Sequence, residues 1–548
     1  GSSKPFWLRV SRSSASESLQ THFAMAQCKA LIAFSLLFGL TSALPDVNTT
    51  GTINVGILIM PGVFISEATI PFEMFKQRNT MNVYFVASTM DPVYTYYGAR
   101  LKPDYIFSDA PAVHLLVVPS GIGSHHSFLT SWYGGETKAD TTIQGKTAND
   151  QPVTYYGNMT DLIEWVRTSA ASAQIVTSHC WGAFTLADAG VLDGKAATTF
   201  PGYTATLEAN YPSIGSVVAD KRWVTDGNVM TSNGGLAAFE ASLAVIRHLY
   251  GEEEAAAVAS DLVLSEENVG HSLDEYFRPS PVREGEIETI SATKVGILLL
   301  EGTFISDPTA PFDIFAHLGA AVDVYFVGET MEPIQTYYGA TMYPDYTIAD
   351  APQPDIIAVP GGNSSLTSDR EKADVVAWIR NSAVNAAWVT SHGLGTFMLC
   401  EAGLCDNKAL TTSPGSFTLL KDAFPAIAIA TVGEDRRIVK DGNLVTSSGW
   451  VAAYEAANYV IMKHFGENAA KNVATGLVFA ADNYQAMVDA YDVEAVTTSN
   501  AGVTTSNAGA TTSNTVVTTA SPEASNAAKS AAFIVSHLMP ILLIAALA

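Results

Sequence analysis

At 548 residues, 48% of them hydrophobic, the chain is long enough for two or three domains that each bury a core of their own. A formal net charge of −25, from 54 acidic against 29 basic residues, argues against a nucleic-acid partner, because such a surface repels a phosphate backbone. Four cysteines, Cys28, Cys180, Cys400 and Cys405, are too few for a disulfide scaffold of this length. No acidic run has the spacing of a calcium loop, so neither a metal nor a cofactor is expected.

Residues 1–24 precede Met25 and read as non-native upstream sequence. Residues 25–43 read as a secretory signal peptide: Lys29 is the positive flank, an apolar run follows, and Thr41 and Ala43 take the small-residue cleavage positions. Cys28 would leave with it. Two α/β segments follow, 52–265 and 293–482, joined by an acidic linker at 266–292 that holds Pro279 and Pro281. Within the first, VGILIM, VYFVAS, HLLVVP and IVTSHC read as buried strands, and PFEMFKQ, LIEWVRTSA, AFTLADAG and AAFEASLAVIRHL have helical spacing. The alternation predicts two tandem, doubly wound, flavodoxin-like α/β sandwiches with mainly parallel sheets. Residues 496–530 form a Thr/Ser/Asn-rich stalk, and 531–548 an apolar tail with nothing charged after it. That ending matches a GPI-attachment signal better than a transmembrane anchor, with Ser521, Ser525 and Asn526 as candidate attachment sites. Asn48, Asn158 and Asn363 are glycosylation sequons. The expected location is therefore secreted: the extracellular face of the plasma membrane through a lipid anchor, with shedding into the matrix.

The two segments are copies of each other. VGILIMPGVFISEATIPFEMF at Val55 recurs as VGILLLEGTFISDPTAPFDIF at Val295, and DGNVMTSNGGLAAFEAS recurs as DGNLVTSSGWVAAYEAA. Gly121 aligns with Gly361 at an offset of 240, whereas Cys180 aligns with Gly393 at an offset of 213, so the first copy carries 27 additional residues between Gly121 and Trp165. That polar, Gly-rich stretch reads as a loop. Cys400 and Cys405 align with Ala187 and Leu192, which makes them apolar core positions; a bond between them is the minor alternative.

The chemistry concentrates at SHCWGAF. A strand running into a helix exposes the residue at the turn, provided small residues such as Gly182 and Ala183 flank it. A helix N-terminus beside the Cys180 sulfur is expected to favour thiolate. Glu67, in the loop after the first strand, opens at the same sheet edge and is the expected proton partner. Backbone N–H groups of Gly121 and Trp181 are the expected oxyanion hole. His179 is an auxiliary candidate, but neighbours on a strand point to opposite faces. The competing readings are a buried inert cysteine, a solvated carboxylate and a packed histidine.

This set of residues resembles the ThiJ/PfpI superfamily, related to class I glutamine amidotransferases. The resemblance rests on the carboxylate after strand one, the P-S-G turn, the cysteine turn followed by GAFTLADAGVLDGKAATT, and DGN with TS and Gly after it, and it covers roughly 55–262 and 295–478. Isonitrile hydratases look nearest. In that superfamily the residues at Cys180 and Glu67 serve as nucleophile and carboxylate partner. Several members carry a histidine where Phe200 stands, so a triad of their kind is not expected. In the second copy Asp307, Gly361, His392 and Gly393 stand at Glu67, Gly121, His179 and Cys180. That site is expected to be degenerate, and the resemblance implies that the fused copies pair as an internal pseudo-dimer. The expected function is cysteine-dependent hydrolysis or hydration of a small-molecule substrate by the first copy. Alternatives are a non-catalytic surface or matrix protein and a redox or carbonyl-stress sensor.

Overall fold

The computed structural model describes residues 44–45, 51–121, 140–146, 152–262, 292–427, 437–479 and 491–492. The segments read as signal peptide, stalk and tail, and most of the one read as a linker, lie outside them, as do Cys28, Asn48, Ser521, Ser525 and Asn526. The described residues fall within one compact unit that begins at Leu44.

Each copy is an α/β sandwich, and we call the copies repeat one and repeat two. The seven-stranded sheet of repeat one runs in the order Trp223–Asp226, Val229–Ser232, Ile175–His179, Leu115–Val118, Ile53–Leu58, Met81–Ala87, Tyr105–Ile106. All neighbours are parallel except the first pair. Repeat two has the same order, with Tyr491–Asp492 added at one edge to make eight strands. These strands are runs of Val, Ile and Leu because helices cover both faces, so alternation with polar residues would bury unpaired groups. In Ile53–Leu58 only Asn54 is not buried.

Three apolar clusters fill the layers. One packs Leu116, Val166 and Phe184 on one face of the first sheet, and another packs Ile357, Ile379 and Phe397 on the second sheet. The third spans both repeats, joining Phe72, Phe75 and Phe239 to Phe312, Phe315 and Tyr454. Burying each such ring contributes about 1.5–3 kcal/mol, so the shared layer binds the repeats firmly. Like residues meet like across it. Thr69 and Thr309, equivalent at the 240-residue offset, lie hydroxyl to hydroxyl at 3.3 Å. Phe239 packs edge-on to its counterpart Tyr454, centroids 6.0 Å apart. Leu101 pairs with Met342, and Lys102 with Thr341, in an antiparallel sheet built from both repeats.

The insertion of repeat one differs from expectation. Asp140–Lys146 and Pro152–Asn158 form an antiparallel hairpin rather than a loop. Threonine, Ile143, Val153 and two tyrosines supply strand propensity that outweighs the neighbouring glycines. Asn158 ends the second of these strands, and Asn363 opens the short 3-10 helix Asn363–Leu366. Cys400 and Cys405 are also corrected: they form a disulfide across a sequence separation of five, at the end of the helix Gly395–Glu401. Their apolar surroundings were legible in the sequence, but the Cα separation of 4.7 Å that lets them bond arises from the helix turning back on itself.

Candidate active site

Cys180 stands between the strand Ile175–His179 and the helix Gly182–Asp188. Its φ is +51°, a left-handed conformation costly for a residue with a Cβ and typical of a functional turn. Three contacts impose it. The Cys180 N–H donates to Ser232 O at 2.9 Å, and Thr199 Oγ1 donates to Cys180 O at 2.8 Å. Gly182 is packed so closely that a Cβ there would lie 2.0 Å from Val118 O. Only glycine lets this helix start against the neighbouring strand.

Glu67 is not in a loop. It lies in the first turn of the helix Ile65–Lys76, where Pro71 removes the N–H that would have closed on the Glu67 carbonyl. Its carboxylate is buried and accepts from the Ser120 N–H at 2.9 Å, the Ser120 hydroxyl and the Gly235 N–H at 3.1 Å. The Cys180 sulfur is within hydrogen-bonding reach of the Glu67 carboxyl, the Ser120 hydroxyl and the Trp181 N–H. Gly234 separates the two side chains: a Cβ there would meet Glu67 Oε1 at 2.2 Å and Cys180 Cβ at 2.4 Å.

The electrostatics correct the thiolate expectation. Burial pushes the Cys180 thiol well above its ordinary range, and the negative charge of Glu67 adds to this. Cys180 is only 5% exposed, so desolvation outweighs the favourable N–H groups of the turn. Burial also raises Glu67 to about 7, against the opposing hydrogen bonds of Ser120 and Gly235. Two buried acids in contact do not both ionise, so near neutrality Cys180 keeps its proton while Glu67 is partly ionised.

His179 is the packed histidine. Its Nδ1 bonds Ser232 Oγ at 2.8 Å, and burial lowers its pKa to about 3. His392 repeats this with Ser447 Oγ at 3.0 Å. Of the expected oxyanion pair, the Trp181 N–H faces the sulfur itself, while Gly121 packs so tightly on Met60 that a Cβ would lie 2.5 Å from its Cγ. In repeat two the corresponding Gly361 N–H points at the acid Asp307, 3.4 Å from Oδ2. Half-buried aromatic rings flank the turn: Trp181 lies 6.1 Å from Phe64 and 5.2 Å from Tyr203, whose phenol is raised by burial and by the nearby Cys180 charge. Among the described residues no group of three or more His, Cys, Asp or Glu forms a metal cage.

The DJ-1/PfpI family pattern matches residues 151–248 and 293–463. Protein dj-1beta of Drosophila melanogaster is 33% identical over 151 residues, 27% of this chain and 78% of that protein. The chain belongs to the DJ-1/PfpI family. Isonitrile hydratase of Pseudomonas putida is 28% identical over 210 residues, 38% of this chain and 78% of the enzyme. Among solved structures, a ThiJ/PfpI family protein from Pseudomonas syringae aligns with a TM-score of 0.33 and 20% identity over 38% of this chain and 84% of its own.

The second DJ-1/PfpI segment keeps the scaffold without the sulfur. Gly393 holds φ +54°, and its N–H and carbonyl keep their bonds to Ser447 O and Thr412 Oγ1, both 3.0 Å. Asp307 is buried and raised by burial to about 7. A Cβ on Gly393 would meet its Oδ2 at 2.8 Å. At the rim, Trp181, Phe200 and Tyr203 are replaced by Leu394, Ser413 and Ser416, all buried. Reading the sequence missed Ser120, Gly235 and Tyr203. Ser120 and Gly235 were inside quoted motifs, but their partner Glu67 is 53 and 168 residues away. Tyr203 carried no motif, though its loss in the copy that lost the cysteine is a usable signal.

Proposed function

We propose that repeat one is a cysteine-dependent hydrolase or hydratase for a small, uncharged molecule. The observation that carries this is the Cys180 sulfur at a positive-φ turn within hydrogen-bonding reach of a carboxyl raised to about 7. The Cys180 proton moves to Glu67, and the thiolate attacks an electrophilic carbon to form a C–S bond. Glu67 returns the proton to the substrate, and water then cleaves the C–S bond and restores the thiol. The net reaction adds water. The partly exposed rings of Phe64, Trp181 and Tyr203 favour an apolar substrate. The likeness to isonitrile hydratase supports this class. Turnover of a simple isonitrile by the mature protein, lost in Cys180→Ser and in Glu67→Gln, is the expected result; turnover that survives Cys180→Ser rejects the reading.

The chain's place is proposed to be outside the cell, held by a lipid anchor, with Asn48, Asn158 and Asn363 glycosylated. The Cys400–Cys405 bond supports an oxidising compartment. Among the described residues no helix is long and apolar enough to cross a membrane. Repeat two is proposed to act without chemistry of its own, as the internal partner of repeat one. Release from cells by a phosphatidylinositol-specific phospholipase tests the anchor.

A further inference from the structure

On both sides of Glu67, the flanking residues are held by the repeat that lacks a counterpart of Cys180. Its neighbour Ser66 is fully buried. Ser66 lies beside the buried carboxylate of Asp313 on the helix Ser306–Ala316, whose two oxygens have no hydrogen-bond partner among the described residues. The hydroxyl of Tyr454, on the helix Val451–His464, donates to Ser66 Oγ at 2.8 Å. On the other flank is Gly235, whose N–H holds Glu67 Oε1. The next residue, Leu236, donates its N–H to Leu477 O at 2.8 Å. Arg222, clamped by Glu240 through Nε at 2.8 Å, donates to Val478 O at 2.9 Å.

The fit at this second flank tolerates no bulk. A Cβ on Gly235 would lie 2.2 Å from Leu477 O. Val478 sits at φ +52°, which for a β-branched residue is a true outlier. Such a conformation costs on the order of 1–3 kcal/mol and persists only where its surroundings impose it. Here they do: Phe479 behind it is fully buried, and Val478 O is fixed by Arg222. The strain therefore sits in repeat two at the point where it touches the peptide that binds Glu67.

We propose that repeat two is the positioning partner of the first site, setting Glu67 through Asp313 and Tyr454 on Ser66 and through Leu477 and Val478 on Gly235. This rests on the reading of Cys180 and Glu67 as the reacting pair, and it accounts for a repeat that keeps its fold after losing its nucleophile. None of the four residues touches the sulfur; each acts through Glu67. The titratable groups facing Glu67 are Cys180 from the turn and Asp313 from the opposite helix, and the charge of Asp313 raises Glu67.

The test reads Glu67 directly, through the 13C shift of its carboxyl carbon during a pH titration of the full chain, with Glu67→Gln identifying the resonance. Asp313→Asn removes the charge at nearly unchanged side-chain size, so the midpoint falls. Gly235→Ala pushes the peptide off Leu477 O and weakens the N–H bond to the carboxylate, so the midpoint rises. Midpoints that match the wild type in both variants, with unaltered thermal unfolding, overturn the proposal. If Gly235→Ala fails to fold, Asp313→Asn decides alone. Isonitrile turnover that survives Cys180→Ser removes the enzymatic reading, while the Glu67 midpoints still decide whether repeat two positions the acid.

Discussion

Glu73→Gln changes a single charge at the junction of the repeats. Glu73 is buried and accepts hydrogen bonds from the Ser306 N–H at 3.2 Å and from the Ser306 hydroxyl. Burial raises its carboxyl from 4.5 to about 8, and the nearby Asp307 charge contributes. The folded state therefore holds a proton that the unfolded chain releases. For an acid with a raised folded pKa, the stabilisation is full below 4.5 and is lost as pH climbs through about 8. At about 1.4 kcal/mol per pH unit, the loss across that window reaches ~5 kcal/mol as an upper limit. Glutamine stays neutral at every pH and offers Ser306 the same oxygen. Glu73→Gln should thus leave stability nearly unchanged near pH 5 and raise it near pH 8, by about 1–3 kcal/mol after allowance for imperfect replacement of the carboxyl. The assay is thermal unfolding by circular dichroism across this range. Wild type should lose melting temperature steeply as pH rises, and the variant should lose less, the remaining slope coming from the other raised carboxyls, among them Glu67 and Asp307, each raised to about 7. Parallel curves for variant and wild type would refute the claim that Glu73 carries a proton in the fold.

Other outcomes follow from the same contacts. Gly182→Ala forces a Cβ to 2.0 Å from Val118 O, so the chain should lose several kcal/mol or fail to fold, measured by its melting temperature. Cys180→Gly copies the Gly393 turn in repeat one; it should abolish labelling at residue 180 while preserving the melting temperature, because glycine accepts φ +51° without strain. Arg222→Met breaks a buried pair with Glu240, 2.7 Å apart, and should cost about 3–5 kcal/mol in unfolding free energy. Replacing both Cys400 and Cys405 with alanine removes a crosslink across a sequence separation of five and should cost roughly 2 kcal/mol, visible as a lower midpoint in denaturant under non-reducing conditions.

The repeats, the parallel sheets and the cysteine turn were legible in the chain because each is written locally. Apolar runs bounded by glycine and proline announce buried strands, and two copies of one pattern announce two copies of one sheet. Cys180 beside Gly182 announces a close-packed turn, since the steric demand of that turn falls on adjacent residues. The absence of sulfur at Gly393 is likewise a fact of sequence alone. Tertiary structure decided what distant groups do to one another. Burial, which no single side chain reveals, overrode the helix terminus and drove the Cys180 thiol upward. Only the fold carried Ser120 and Gly235 to Glu67, set Ser66 against Asp313, and brought Cys400 and Cys405 within bonding distance. The reason is that hydrophobic pattern and backbone sterics act within a few residues, whereas desolvation and charge depend on every atom packed nearby, whichever repeat supplies it.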